Sequence, residues 1–226
     1  MTESGIGAGP RGGYRAAMIG AGVLAFCGGG AFRGNDELDR RLLAEAGAER
    51  VVMLPTADAF EEPGVLVAAA MTWAERLGVE IEALMVMQRQ DAEDEGAAGV
   101  LDAASAVYLA GDSSMHLRSV LKDTAVFAAL RRVLERGGLV VAIGPSAAAL
   151  SDPMFDVRGG AFTLGLGLQT GVAVIPESET WSDDALARTR SLATTPIIVL
   201  PTGAAAVSRG GSWELVGDAV ATGNLR

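Results

Sequence analysis

Short apolar runs alternate with longer segments of helical periodicity along most of the chain, and this alternation restricts the possible folds. Several runs are apolar throughout, as expected for strands that are covered on both faces of a parallel sheet. Strands are predicted at residues 22–27, 50–54, 80–85, 106–110 and 139–143. Helices are predicted between them at residues 36–46, 64–77, 96–104 and 115–135. The sequence therefore predicts an α/β fold with three layers, α/β/α, around a mostly parallel central sheet.

The last third of the chain has a different pattern, in which short β-branched segments are separated by turn signals such as Pro201-Thr202-Gly203. Added strands or hairpins are predicted at 172–175, 197–200, 204–207 and 213–216, with a helix at 182–193. No internal repeat interrupts this order. Residues 20–226 are therefore predicted to form one domain, preceded by a disordered or poorly ordered tail at residues 1–19.

The composition excludes several classes of function. Lys and Arg number 18 against 28 Asp and Glu, and the net charge of −10 argues against a nucleic-acid or anionic-membrane partner. The chain has one histidine, His116, and one cysteine, Cys27, so neither an intrachain disulfide nor a His/Cys zinc cage can form. Neither a cofactor nor a metal is expected.

The N-terminal region contains a pattern that partly imitates a signal peptide. Arg11 and Arg15 precede an apolar run at 16–26, but Phe26 is too large for the position before a lipoprotein cysteine. No run of about 20 apolar residues follows elsewhere. We therefore expect a cytoplasmic protein with no membrane association.

The loops that follow the predicted strands contain the polar and small residues expected of a ligand site. Ligands of open parallel sheets bind at the carboxyl ends of the strands. The candidate ligand-binding residues in these loops are Gly29, Gly30, Asp58, Ser113 and Ser114. No Gly-Lys-Ser/Thr sequence follows the glycine run that begins at Gly28, which argues against a Walker-type nucleotide site.

The loop after the fifth strand has the layout of a nucleophile elbow. A sharp turn centred on Ser146 would expose its hydroxyl, and Gly144 and Ala148 lie at the spacing of the G-x-S-x-G pattern. Small neighbours are needed there because strand and helix approach closely. The same spacing also fits a serine that caps an ordinary helix.

Four stretches, in this order, resemble the family of cyanophycinase and dipeptidase E: GGGAFRGNDEL (28–38), VVMLPTADAF (51–60), VYLAGDSSMHLRSVL (107–121) and VVAIGPSAAAL (140–150). That family consists of serine peptidases on a class I glutamine amidotransferase-like, flavodoxin-like fold. The resemblance implies that Ser146 occupies the nucleophile position. It also implies an oxyanion loop at Gly111 and Asp112, completed by the backbone N–H of Ala147.

The chain departs from the family pattern at the catalytic base and acid. The region of the family histidine reads Val-Ile-Pro-Glu-Ser-Glu-Thr at 174–180, and the region of the later acid, 200–205, has no carboxylate. Three side chains remain as candidate bases. His116 follows the oxyanion loop, and Glu177 and Glu179 lie where the histidine is missing. A carboxylate of ordinary pKa, near 4, is a weak base unless burial raises it.

These observations leave two interpretations. In the first, the protein is a degenerate family member that keeps the serine elbow and binds a small peptide or amino-acid-derived ligand with little or no catalysis. In the second, it is an active serine hydrolase of acidic or β-linked dipeptide-like amides, with His116 or a glutamate as an unconventional base. The presence of serine instead of cysteine at position 146 argues against glutamine amidotransferase activity. The resemblance in fold also allows a homodimer.

Overall fold

The computed structural model describes residues 21–225, and its strands and helices follow the predicted alternation. The strands are β1 (Val23–Cys27), β2 (Arg50–Leu54), β3 (Glu80–Ala83), β4 (Ala106–Leu109), β5 (Leu139–Ile143), β6 (Ser151–Asp152), β7 (Met154–Asp156), β8 (Ala161–Thr163), β9 (Gln169–Thr170), β10 (Ala173–Pro176), β11 (Ile197–Leu200), β12 (Ala205–Arg209), β13 (Ser212–Val216) and β14 (Val220–Thr222). The helices are α1 (Asp36–Glu45), α2 (Pro63–Leu77), α3 (Arg89–Ala92), α4 (Glu95–Asp102), α5 (Ser114–Leu121), α6 (Ala125–Glu135), α7 (Pro145–Leu150) and α8 (Asp183–Leu192). Single 3-10 turns are formed by Thr56–Asp58 and Ser178–Thr180.

The central sheet has seven strands in the order β13-β12-β1-β5-β4-β2-β3. The pairs from β1 through β5, β4 and β2 to β3 are parallel, whereas β12 pairs with β1 and with β13 in antiparallel fashion. The predicted α/β class with a mostly parallel central sheet is confirmed. Among the helices of the described residues, none has the length and apolar character needed to cross a membrane.

Both faces of the sheet are buried, which explains why its central strands are apolar throughout. In β1, Leu24 and Phe26 belong to the core on the side of α4, α6 and α7, whereas Val23, Ala25 and Cys27 belong to the core on the side of α1 and α2. Successive strand residues point to opposite faces, so a strand covered on both sides must be apolar at every position.

The last third adds a smaller sheet in the order β10-β11-β14 and a β7-β8 hairpin. Trp181, just before α8, contacts the Phe155 ring edge-on at 5.0 Å. The Thr189 hydroxyl of α8 donates a hydrogen bond to the Gly160 carbonyl in the hairpin turn (2.7 Å). These contacts fix the hairpin beside the carboxyl edge of the central sheet.

The prediction of one continuous helix at 115–135 was wrong, because α5 and α6 are separate helices. Asp123 adopts a left-handed φ of 58° between them. The Thr124 hydroxyl donates to the Leu121 carbonyl (2.8 Å) and accepts from the Phe127 N–H (3.4 Å). Thr124 therefore donates to a free carbonyl at the end of α5 and accepts from a free N–H at the start of α6. Apolar periodicity does not reveal this role.

A buried carboxylate connects α1 to the sheet and to α2. Asp39 is 4% exposed and accepts hydrogen bonds from Trp73 Nε1 (2.9 Å) and from the Tyr108 hydroxyl (3.0 Å). Burial raises the pKa of Asp39 from its ordinary 3.8 to about 6, although both hydrogen bonds act in the opposite direction. The folded state therefore favours the protonated form of this carboxyl more than the unfolded chain does.

The Asp39 carboxyl should make folding stability depend on pH. Because its pKa is raised on folding, its stabilising effect is complete below about pH 4 and is lost as the pH rises through about 6. Asp39→Asn removes this titration and can still accept from Trp73 and donate to Tyr108. From pH 4 to pH 7 the variant should gain stability relative to wild type by up to about 3 kcal/mol. Urea unfolding at both pH values measures this difference.

The matched control is Glu37→Gln, an exposed position on the same helix. The change of relative stability with pH should be larger in Asp39→Asn than in this control, because Asp39 is the buried carboxyl. An Asp39→Asn difference that is constant between pH 4 and pH 7 would contradict the raised pKa.

Candidate functional site

The loops after β1, β2, β4 and β5 meet at one edge of the central sheet, because these strands are parallel neighbours. Hydrogen bonds join the loops directly. The Gly144 N–H donates to the Cys27 carbonyl (2.9 Å), and the Ser113 N–H donates to the Ala57 carbonyl (3.0 Å). The structure therefore brings the predicted elbow, glycine loop and oxyanion loop together at this edge.

Ser146 lies in the first turn of α7, directly after β5. The left-handed φ of the turn, 60°, belongs to Gly144, and Ser146 has helical backbone geometry. Ser146 is fully buried, and its hydroxyl has no hydrogen-bond partner among the described residues. The expected exposure of the hydroxyl was therefore wrong, because the turn precedes the serine by two residues and the serine packs with the buried helix.

Two of the three amides predicted to form the oxyanion hole are already engaged. The Asp112 N–H donates to Asp58 Oδ1 (2.9 Å), and the Ala147 N–H donates to the Gly144 carbonyl (2.8 Å). An oxyanion hole requires preorganised donors aimed at the reacting oxygen. In this structure the amides of Asp112 and Ala147 point elsewhere.

His116 is oriented by contacts with other parts of the fold. Its Nε2–H donates to the Met87 carbonyl (2.9 Å), which leaves Nδ1 as the ring acceptor in the neutral form. The ring also meets Phe60 edge-on at 4.6 Å. The structure contains no hydrogen bond between His116 and Ser146, although a general base must be within hydrogen-bond reach of the proton it removes.

Glu177 lies against the elbow, at the position where the resemblance placed a histidine. Its N–H donates to the Gly28 carbonyl (2.8 Å), and its backbone is left-handed with φ 50°. A Cβ atom at Gly29 would lie 2.9 Å from Glu177 Cγ, and one at Gly144 would lie 3.2 Å from Oε1. Glycine at both positions therefore allows the carboxylate to approach the elbow closely.

The two candidate glutamates have opposite electrostatic environments. Burial raises the pKa of Glu177, and the negative charges of Asp112 and Glu179 raise it further. Burial also acts to raise the pKa of Glu179, but hydrogen bonds from the hydroxyl and the N–H of Thr202 lower it overall. Glu179 is thus held as a carboxylate by Thr202, which sequence reasoning did not single out.

A cleft of about 500 Å³ opens beside these residues. It is lined by Asp112, Pro145, Val157, Pro176, Glu177, Thr180 and Trp181. Val157 and Trp181 form an apolar wall of this cleft that was not predicted from the sequence. Trp181 follows Glu177 by four residues, which was an available signal, whereas Val157 comes from the β7-β8 hairpin and belongs to no motif.

The predicted ligand-binding residues lie in different surroundings. Gly30 and Asp58 line a second cavity of about 370 Å³, which is also lined by Gly111 and Asp112 of the oxyanion loop. The Ser113 hydroxyl accepts from the His116 N–H (3.2 Å) and caps α5, and the Ser114 hydroxyl is buried without a partner among the described residues. The described residues contain no group of three or more His, Cys, Asp or Glu side chains placed to hold a metal ion.

Glycine is required at position 111 by two separate constraints. Gly111 has a φ of 125°, and a Cβ there would lie 2.6 Å from the Asp58 backbone nitrogen. Gly111→Ala should therefore lower the free energy of unfolding by at least about 3 kcal/mol. Gly78→Ala, at a φ of 73° with open space around it, should cost only about 1 kcal/mol. Chemical denaturation of both variants tests this, and equal losses would contradict the close approach of the two loops.

Comparison with known proteins agrees with this architecture. Two proteins named cyanophycinase, from Trichormus variabilis and from a Nostoc species, are each 30% identical to the chain over 147 residues, which is 62% of this chain and 49% of each relative. The chain therefore spans about half the length of the curated relatives it matches. A peptidase from an acI-B1 Actinobacterium superposes with a TM-score of 0.77 at 25% identity, covering 91% of this chain and 90% of that one.

A peptidase E-like protein of Listeria monocytogenes shares the fold, with a TM-score of 0.68 at 18% identity, covering 86% of this chain and 97% of that one. The profile of Peptidase family S51 matches residues 24–151, which include β1 to β5 and the Ser146 elbow. The chain belongs to peptidase family S51.

Proposed function

We propose that this protein binds a small, positively charged peptide or amino-acid derivative in the cleft beside Ser146 and does not hydrolyse it. The observation that carries this proposal is the state of Ser146, whose hydroxyl is buried and has no hydrogen-bond partner among the described residues. A serine hydroxyl is a poor nucleophile unless a neighbouring base accepts its proton.

The other catalytic groups support the same conclusion. His116 donates to the Met87 carbonyl, and Glu179 accepts from Thr202. A general base contributes about 10²–10⁴-fold to the rate, and loss of a triad leaves only the residual effects of binding and the oxyanion hole. Because the Asp112 amide donates to Asp58, that residual contribution is reduced as well.

The charge of the cleft indicates the class of ligand. Asp112 and Glu177 provide two carboxylates, and the residues that line the cleft include no basic side chain. An acidic ligand would meet repulsion from both carboxylates, whereas an ammonium or guanidinium group would be attracted. Trp181 also lines the cleft, and its indole can bind such a cation through a cation–π interaction. Membership of a peptidase family supports a peptide or amino-acid derivative as the body of the ligand.

A matched set of three probes tests the binding site: the N-acetyl amides of lysine, norleucine and glutamate. The lysine probe should bind at least about tenfold more tightly than its neutral norleucine analogue, because a charge-assisted hydrogen bond to Glu177 distinguishes them. The glutamate probe should bind most weakly. Chemical-shift titration of labelled protein measures the affinities, and mass spectrometry of the probes should show no cleavage.

Glu177→Gln should abolish the preference for lysine over norleucine. Glu80→Gln, an exposed glutamate in the edge strand β3, should leave it unchanged. Tighter binding of the glutamate probe, or Ser146-dependent cleavage of any probe, would contradict the proposal.

A second candidate function is slow hydrolysis with Glu177 as the base. Its close approach to Gly144 and its raised pKa favour this role over the other candidate bases. The base acts only when deprotonated, so hydrolysis of a lysine p-nitroanilide would increase as the pH rises through the raised pKa of Glu177. Loss of that activity in both Ser146→Ala and Glu177→Gln would establish this candidate, and a rate equal in all three proteins would exclude it.

A further inference from the structure

The oxyanion loop borders two cavities. Asp112 lines both the cleft that contains Glu177 and the second cavity that contains Asp58. Gly111 lines the second cavity. Asp112 therefore borders both spaces, and the orientation of the Gly111–Asp112 peptide bears on which of its polar groups faces each of them.

The orientation of this peptide is defined by one hydrogen bond. The Asp112 N–H donates to Asp58 Oδ1 at 2.9 Å, on the side of the second cavity. The peptide is trans, so its carbonyl, on Gly111, points away from Asp58. In this orientation the Asp112 N–H is withheld from the cleft.

The neighbouring backbone is anchored, so a change of orientation would be confined to this one peptide. The Ser113 N–H donates to the Ala57 carbonyl (3.0 Å), which holds the chain directly after Asp112. Gly111 has no side chain to oppose rotation about its ψ angle. Rotation there, with a compensating change in φ of Asp112, reverses the peptide without moving its neighbours.

We propose that the Gly111–Asp112 peptide is a two-position switch, and that the Asp58 carboxylate holds it in the position that denies the Asp112 N–H to the cleft. Loss of the negative charge on Asp58 weakens the hydrogen bond and allows the N–H to turn toward the cleft. Once turned, the N–H would donate to a carbonyl or carboxylate oxygen of a bound molecule. This consequence for ligands rests on the binding function proposed above, whereas the switch itself is a property of the free protein.

The charges around Asp58 make its protonation accessible. Burial raises the pKa of Asp58, and the charges of Asp112 and Glu61 add to this effect, whereas the bond from the Asp112 N–H opposes it. The remaining charged groups of the cavity are Glu62 and Arg33, of which only Arg33 is positive. Helix α5 packs against the 3-10 turn Thr56–Asp58 that contains Asp58. The histidine of this helix, His116, donates its Nε2–H to the Met87 carbonyl. Falling pH should therefore release the peptide.

Amide hydrogen exchange in the ligand-free protein tests the switch directly. At pH 7 the Asp112 amide should be protected in wild type, and it should exchange at least about tenfold faster in Asp58→Ala, which has no acceptor. Asp58→Asn resembles the protonated carboxyl, because its neutral amide oxygen accepts only a weaker bond, and it should exchange faster than wild type but more slowly than Asp58→Ala. Glu61→Gln, a carboxylate of the same cavity that accepts no bond from Asp112, is the matched control and should behave as wild type.

The pH dependence supplies a second readout that does not depend on the folding of Asp58→Ala. After correction for intrinsic exchange, protection of the Asp112 amide should fall with pH in wild type and in Glu61→Gln, and should stay constant in Asp58→Asn. Equal protection in wild type and Asp58→Ala would overturn the proposal, as would protection in wild type that does not change with pH. Neither result depends on whether the cleft binds a cationic ligand.

Discussion

The parallel pairing of β1, β5, β4 and β2 is the constraint on which the rest of the structure depends. It brings the loops that follow these strands to a single edge of the sheet. It also requires helices on both faces, and the two hydrophobic cores supply them. The Gly144–Cys27 hydrogen bond then fixes the elbow against β1. Glu177 comes from the smaller sheet and reaches the same edge through its bond to the Gly28 carbonyl.

At that edge the candidate catalytic groups lie together, but most are hydrogen-bonded to other parts of the protein. His116 donates to Met87, the Asp112 amide donates to Asp58, and Glu179 accepts from Thr202. The Ser146 hydroxyl has no partner among the described residues, and it is buried. The cleft beside these groups has two carboxylates and an apolar wall, and on this lining rests the proposal that it binds a cation.

The strand pattern was predictable because burial on both faces leaves an unambiguous apolar signal. The bounds of β2, β5 and β11 agree with the prediction residue by residue. Helix termini were less predictable, because Thr124 ends one helix and caps the next through hydrogen bonds that periodicity does not contain. The short strands β6 to β9 were also missed, since two- or three-residue strands carry too little pattern to detect.

For the site, sequence reasoning identified which residues gather at the carboxyl edge but not how they are oriented. The family resemblance placed Glu177 at the position of a missing histidine, and in the structure its side chain lies close to Gly29 and Gly144. The direction of His116 and of the Asp112 amide depends on Met87 and Asp58, which lie 29 and 54 residues away in sequence, and no sequence pattern indicated these hydrogen bonds. Orientation of polar groups is set by tertiary contacts, and for that reason the directions of His116 and the Asp112 amide were visible only in the structure.

The most direct test of the central claim, that Ser146 is not activated, is its reaction with a fluorophosphonate probe followed by intact-mass spectrometry. An active serine hydrolase treated in parallel verifies the probe. The account predicts no adduct on the wild-type protein beyond the level of Ser146→Ala. Stoichiometric labelling of wild type that maps to Ser146 and is abolished in Ser146→Ala would contradict it.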